Sequence, residues 1–95
     1  APTLFHANAN GFGPPDAART IALFTAPDCA NCDQATKDLR ALSQDLGIRV
    51  TLFDLQTDAA LAAQLGLTIA PSYVLPDMMI RGQMPAFILR RYLTQ

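Results

Sequence analysis

Charge, cysteine and long apolar runs are all scarce in this 95-residue sequence. Charged residues make up 16% of the chain, the net charge is −1, and the basic residues are dispersed apart from the pair Arg90-Arg91. Because nucleic-acid binding needs a concentrated basic surface, we expect no nucleic-acid partner. No apolar run reaches the roughly 18 residues that are needed to span a bilayer.

Residues that bind transition metals are equally few. The chain has two cysteines and a single histidine, His6, and the further soft ligands to consider are Met78 and Met79. A closed tetrahedral zinc site needs more cysteine and histidine ligands than this set supplies. We therefore expect no metal and no other cofactor.

What the sequence does contain points to one small globular domain. Hydrophobic residues make up 51% of the chain, which is enough for a buried core, and the length fits a single domain. Residues 1–19 are rich in Asn, Gly and Pro, so we expect a loop or edge segment there, with a short edge strand over 3–7 as an alternative. Residues 20–95 are expected to form the folded domain.

Hydrophobic periodicity divides the domain into alternating strands and helices. Gly47 and Gly66 are typical of helix ends. A right-handed crossover makes the first two strands parallel, and the tight Pro76-Asp77 turn makes the last two antiparallel. The pattern predicts an α/β fold in which three helices flank a four-stranded mixed sheet. The strands are expected over 19–26, 48–55, 72–75 and 78–82, and the helices from the residue after Asp28 to Gly47, over 59–65 and over 86–93.

The last helix carries two further predictions. Pro85 is expected at its first position, where a missing N–H leaves no hydrogen bond unmade. Phe87, either Ile88 or Leu89, and Tyr92 are expected to face the core, since they recur at helical spacing.

The two cysteines lie where a predicted strand gives way to a predicted helix. The apolar run that ends at Phe24 predicts the strand, and Cys32 begins the helical stripe, so Cys29 is expected in the turn between them. Asp28 is the expected N-cap residue of the helix. Free N–H groups at a helix start stabilise an anion, which lowers the pKa of a thiol placed there. Cys32, one turn further along, lies close enough to form a disulfide with Cys29.

A strand followed by Pro-x-Cys-x-x-Cys and a helix resembles the thioredoxin superfamily, and here that motif runs from Pro27 to Cys32. A second landmark is the segment 68–75, in which Pro71 matches the proline that opens the strand after the second helix in that family. The resemblance covers roughly residues 20 to 93. It implies a minimal thioredoxin-like fold in which the bond before Pro71 is cis and Pro71 faces the cysteines.

The resemblance also implies an activity, that of a thiol–disulfide oxidoreductase acting on protein thiols or disulfides. Cys29 would be the nucleophile, and Cys32 would resolve the mixed disulfide that forms. The main chain at Ala70 would pair with an extended substrate. The expected substrate-binding residues are Pro27, Ala30, Ala70 and Pro71, which together with Ile69 would form an uncharged docking patch.

The sequence departs from thioredoxin itself at several points. It has no Trp, Asp28 precedes the first cysteine, and the dipeptide between the cysteines is Ala30-Asn31 instead of Gly-Pro. Leu23 stands where thioredoxin buries an acid that serves proton transfer to the second cysteine. We therefore expect no such base in this chain, and the direction of the redox reaction stays open.

Two alternatives also stay open on sequence alone. The chain could be a thioredoxin-fold binding or assembly module with a structural or vestigial Cys pair, although a disulfide that closes so short a loop removes little chain entropy. The N-terminal segment, through Leu4, Phe5 or Phe12, could fold over the docking patch and shield it.

The cellular setting is also an expectation at this stage. The sequence opens with Ala1-Pro2-Thr3 instead of a methionine, which favours processing and export. We expect a periplasmic or otherwise extracytoplasmic location, with the cytoplasm as the alternative. We further expect a monomer that a membrane-bound or soluble redox partner recycles.

Overall fold

Five strands and three helices make up the computed structural model, which describes residues 4–5 and 10–95. The strands are β1 (Gly11–Phe12), β2 (Thr20–Thr25), β3 (Arg49–Asp54), β4 (Ser72–Leu75) and β5 (Met78–Arg81). The helices are α1 (Ala30–Leu46), α2 (Ala59–Leu65) and α3 (Ala86–Leu93).

The central strand β2 is buried on both faces. Its side chains alternate, so Ile21 and Leu23 join one core while Ala22 and Phe24 join the other, and none of the four is exposed to solvent. β2 pairs parallel to β3 and antiparallel to β4, and the strand order is β1-β3-β2-β4-β5. The mixed sheet predicted from the sequence is therefore confirmed.

Helices cover both faces of this sheet. Leu39 of α1 and Leu89 of α3 pack in the core that contains Leu23. Ala62 of α2 packs in the opposite core, and Leu4 is buried in that core as well. The arrangement is a sheet between two helical layers, which is the layering expected of an α/β domain.

Glycine ends the first two helices, as the sequence predicts. Gly47 and Gly66 adopt left-handed backbone conformations, with φ of 70° and 69°. Such a residue turns the chain out of the helix while its N–H still satisfies a carbonyl of the last turn. At Gly47 this bond goes to the carbonyl of Ser43 at 2.8 Å.

The sheet has five strands, not the four that the sequence predicts. The additional strand, β1, pairs antiparallel with β3 at the edge of the sheet. Arg49 of β3 donates a hydrogen bond from Nη1 to the carbonyl of Gly13 at 3.0 Å, and a Cβ at Gly11 would collide with the carbonyl oxygen of Val50. Two residues cannot show strand periodicity, and Gly11 and Gly13 are typical of loops, so sequence pattern alone misses this strand.

The short strand predicted over 3–7 lies largely outside the described residues. Its described part, Leu4 and Phe5, forms a turn. The segment before residue 20 nevertheless contributes to the domain, since Leu4 is buried in the core and β1 extends the sheet.

Two predictions for α3 are wrong in detail. Pro85 is the N-cap residue, with φ −59° and ψ 147°, and the helix begins one residue later at Ala86. Phe87 is 64% exposed, whereas Leu89 and Leu93 are buried. Leu89 and Leu93 are one turn apart and define the inner face, and Phe87 lies about 200° around the helix axis from Leu89.

Tyr73 is among the largest fully buried side chains and joins β4 to the segment before α3. Its hydroxyl accepts a hydrogen bond from the N–H of Met84 at 3.4 Å. Burial raises the pKa of the Tyr73 phenol, the Met84 N–H acts in the opposite direction, and the nearby Asp38 carboxylate adds to the increase.

Replacing Gly13 with alanine tests the packing of the edge strand. Gly13 has φ of +91°, and a Cβ there would meet the carbonyl of Ile48 and the hydroxyl of Ser43. Gly47→Ala is the matched control, because Gly47 also has positive φ but nothing within 4 Å of an added Cβ. In urea denaturation we expect Gly47→Ala to lose about 1–2 kcal/mol and Gly13→Ala to lose a further ~1 kcal/mol or more from the collision. Equal losses would mean that this edge is not packed as described.

Tyr73→Phe tests the effect of burial on the phenol. Because the folded-state pKa is raised, this group contributes stability that is fully present below pH ~10 and is lost as pH rises through the folded pKa. We expect urea midpoints of the wild type to fall more steeply above pH ~10 than those of Tyr73→Phe. Near pH 7 the variant should lose about 0.5–1.5 kcal/mol, the contribution of one hydrogen bond. Parallel curves throughout would contradict the assignment.

Candidate functional site

The loop between β2 and α1 carries the first cysteine to the start of the helix. Cys29 is the N-cap residue of α1, with the extended backbone that such a position requires. Asp28, the predicted N-cap, has φ of +53° and lies one residue too early. The prediction followed the general preference for aspartate at helix N-caps. It is wrong because the sulfur of Cys29 takes the capping role here.

That sulfur accepts a backbone hydrogen bond inside the first turn of α1. The N–H of Cys32 lies 3.0 Å from Cys29 Sγ, and the carbonyl of Cys29 also accepts from the N–H groups of Cys32 and Asp33, at 3.1 and 3.2 Å. A donor held at the sulfur stabilises a negative charge there more than it stabilises a neutral thiol. The geometry therefore places a hydrogen-bond donor at the position that a negative charge on Cys29 would occupy.

Cys29 and Cys32 form a disulfide, with their Cα atoms 5.2 Å apart. The two sulfurs differ in accessibility, because Cys29 is half-buried whereas Cys32 is only 3% exposed. A partner molecule can therefore approach the disulfide from the Cys29 side alone.

A second loop faces the disulfide from the start of β4. The carbonyl oxygen of Ala70 lies 3.9 Å from Cys29 Sγ, although the two residues are 41 positions apart in sequence. The Ala70–Pro71 peptide bond is cis, the isomer that the family resemblance implies, and the Pro71 side chain is fully buried. Ile69, just before them, is 50% exposed.

The structure thus places four of the predicted site residues around one point. Cys29, Cys32 and Ala70 meet at the disulfide, and Pro71 follows Ala70 directly. Pro27 and Ala30 are exposed. They border Cys29 along the chain, one in the loop and one at the first position of α1.

A third loop, after β5, supports the second one and is missed by the sequence reasoning. The N–H of Gly82 donates to the carbonyl of Pro71 at 2.9 Å, and Gly82 has φ of +94°. A glycine directly after a strand and shortly before Pro85 is the only sequence signal for this turn. It indicates a tight change of direction but does not show that the loop reaches Pro71.

The described part of the N-terminal segment packs elsewhere. Leu4 and Phe5 line a groove with Leu75 and Met78, at the end of β4 that is remote from Pro71. Phe12 lies under the guanidinium group of Arg40, 4.3 Å from the ring centre. These contacts are with the far end of β4 and with α1, not with Ala70.

No buried carboxylate stands near the pair within residues 4–5 and 10–95. The buried polar side chains of that part of the chain are those of Ser43, Arg49, Thr51 and Ser72. Leu23 is fully buried, and its cross-strand neighbour is Tyr73, whose raised pKa keeps the phenol protonated. None of these described side chains therefore supplies a buried carboxylate base to Cys32.

The described residues contain no group of three or more His, Cys, Asp or Glu side chains that could hold a metal ion. None of the helices in this part of the chain is both long enough and apolar enough to cross a membrane.

Comparison with known proteins finds similarity at the level of structure. No protein-family model and no curated protein sequence matches the chain. A point mutant of a thioredoxin from Halobacterium salinarum NRC-1 is 22% identical, with a TM-score of 0.76 over 82% of this chain and 74% of that one.

Two further solved structures give the same result. Mitochondrial thioredoxin 3 from Saccharomyces cerevisiae, in its oxidised form, is 20% identical, with a TM-score of 0.66 over 83% of this chain and 79% of that one. MTB DsbF is 17% identical, with a TM-score of 0.68 over 79% and 78% of the two chains. With a cysteine pair at C-x-x-C spacing at the start of α1, the chain is a protein of thioredoxin-like fold.

Proposed function

We propose that this protein is a thiol–disulfide oxidoreductase that exchanges disulfides with other proteins through Cys29 and Cys32. The observation that carries the proposal is the difference between the two sulfurs. Cys29 is accessible and accepts the Cys32 N–H at a helix start, whereas Cys32 is enclosed one turn further on. A structural disulfide has no need of that difference, but a nucleophile and a resolving thiol do.

The reaction follows from the positions of the two sulfurs. In the reduced protein the Cys29 thiolate attacks one sulfur of a partner disulfide, which forms a mixed disulfide and releases a partner thiolate that takes up a proton. Cys32 then loses its proton and attacks Cys29 Sγ, which closes the Cys29–Cys32 bond and releases the second partner thiolate. Two electrons pass to the partner, and a dithiol protein must return them. The same steps in reverse oxidise a dithiol.

The surface beside the disulfide favours an extended, uncharged stretch of polypeptide. Pro27, Ala30, Ile69, Ala70 and Pro71 carry no charge, and four of them retain exposure. The Ala70 carbonyl faces the sulfur, so a strand that pairs with this main chain brings its own cysteine to Cys29. Main-chain pairing depends little on the partner's side chains, so the expected range of partners is broad.

Limited alkylation tests the roles of the two cysteines. With substoichiometric iodoacetamide near pH 7, we expect the reduced protein to be labelled at Cys29 about tenfold or more over Cys32, because only Cys29 is both accessible and supplied with an N–H donor. Cys32→Ser should accumulate mixed disulfides with partner proteins, and Cys29→Ser should not. Labelling mainly at Cys32, or failure of the wild type to reduce any protein disulfide, would favour a binding module instead.

A charge placed at Ala70 tests the docking surface. Ala70→Asp should slow reduction of a disulfide-linked unfolded protein about tenfold, the equivalent of roughly 1.4 kcal/mol. The new carboxylate repels the thiolate, and an apolar partner that docks over it must remove its water. Ala41→Asp, which makes the same change on the exposed side of α1, should leave the rate unaltered. If both variants keep the wild-type rates with protein and small aromatic disulfides alike, docking takes place elsewhere.

A further inference from the structure

Asp28 adopts an uncommon backbone conformation at the entrance of the site. It is the one non-glycine residue with positive φ, +53°, in the described part of the chain. Aspartate and asparagine tolerate this left-handed conformation better than other side chains with a Cβ. The turn at Asp28 leads directly into the extended conformation of Cys29, with φ −124° and ψ 98°, and so into the cap of α1.

Asp28 directly precedes Cys29, so its carboxylate introduces a negative charge one residue from the sulfur. Cys29 Sγ contacts the Cys32 N–H in the first turn of α1 and the Ala70 carbonyl in the 67–71 loop. Together with the 26–29 loop, these segments contain Asp28 and Asp33 as their charged residues. Asp28 is exposed, and no hydrogen bond or ion pair to its carboxylate occurs among the described residues, where Arg90–Asp45 is the single salt bridge. Among the described residues, no partner group therefore offsets its charge, and solvent and salt moderate it.

We propose that Asp28 is a positioning residue that shifts the balance between the dithiol and disulfide forms of the pair toward the disulfide. The proposal rests on the proposed function, since that function gives the balance its importance. In the reduced protein the Cys29 thiolate carries a negative charge that the disulfide lacks, so repulsion by Asp28 acts on the reduced form alone. Asp28 therefore opposes the Cys32 N–H and the start of α1, favours the disulfide, and makes the reduced protein a better reductant.

Asp28→Asn separates the charge from the backbone turn, because asparagine keeps the size of the side chain and also accepts positive φ. In a Cys32→Ser background, which leaves one thiol, the pH profile of Cys29 alkylation by iodoacetamide should move down by a few tenths of a pH unit at low salt. In ~1 M salt the shift should vanish. Iodoacetate, an anion, should gain more in rate than neutral iodoacetamide, since the carboxylate repels the reagent as well.

The redox equilibrium gives a second readout with both cysteines in place. In buffers of reduced and oxidised glutathione, the Asp28→Asn disulfide should be reduced about twofold more readily than the wild type, which corresponds to roughly 9 mV for a two-electron couple. Asp77→Asn, the same change in the β4–β5 turn at the far end of the sheet, is the matched control and should follow the wild type.

Two further variants test the backbone turn. Asp28→Gly should shift alkylation as Asp28→Asn does and keep the wild-type urea midpoint, whereas Asp28→Ala should produce the shift together with a lower midpoint, because alanine resists positive φ. The proposal is overturned if Asp28→Asn leaves both the alkylation profile and the glutathione equilibrium unchanged at low salt. It is also overturned if the shift survives in ~1 M salt. A wild-type protein that turns over no protein disulfide would refute the proposed function, while the alkylation result would still decide the role of Asp28.

Discussion

The burial of β2 on both faces is the constraint on which the site depends. Ile21 and Leu23 are held from one side and Ala22 and Phe24 from the other, so the strand cannot slide or rotate without exposing one core. Its end at Thr25 is therefore fixed relative to β3 and β4, which flank it. The loop that leaves this end places Cys29 at the start of α1, and the loop that enters β4 places Ala70 opposite. The contact between them is a product of the packing of the whole sheet.

The chemistry that this scaffold supports is asymmetric. Hydrogen bonding from Cys32 N–H favours charge on one sulfur, and burial protects the other. Within the described part of the chain no carboxylate is buried, and Leu23 and Tyr73 lie side by side in the core. Under the proposed function, none of the described side chains is then a buried carboxylate base for the resolving step.

Much of this arrangement is predictable from sequence because the informative patterns are local. The apolar runs and the helical stripe after Cys32 define the long elements, since each pattern reflects burial of one face or both. Gly47 and Gly66 mark where two of the helices end.

β1 is not predicted, because its pairing with β3, and not its own two residues, makes it a strand. The exposure of Phe87 is not predicted because a helix of about two turns has apolar residues on several sides, and the pattern does not show which of them the core has room for. The identity of the N-cap depends on the backbone angle at Asp28, which residue type alone does not determine. The approach of Ala70 to Cys29 across 41 residues is visible in sequence only through resemblance to a known family.

The capping role of the Cys29 sulfur has a consequence for what a partner can detect. The Cys32 N–H meets the sulfur in the disulfide, and a thiolate is a stronger acceptor of the same hydrogen bond, so the first turn of α1 keeps its anchor in either oxidation state. The helix does not need the covalent link to remain wound at its start. The oxidised and reduced proteins should then have nearly the same backbone conformation. A molecule that distinguishes the two forms would do so by charge and by the reactivity of one sulfur, not by shape.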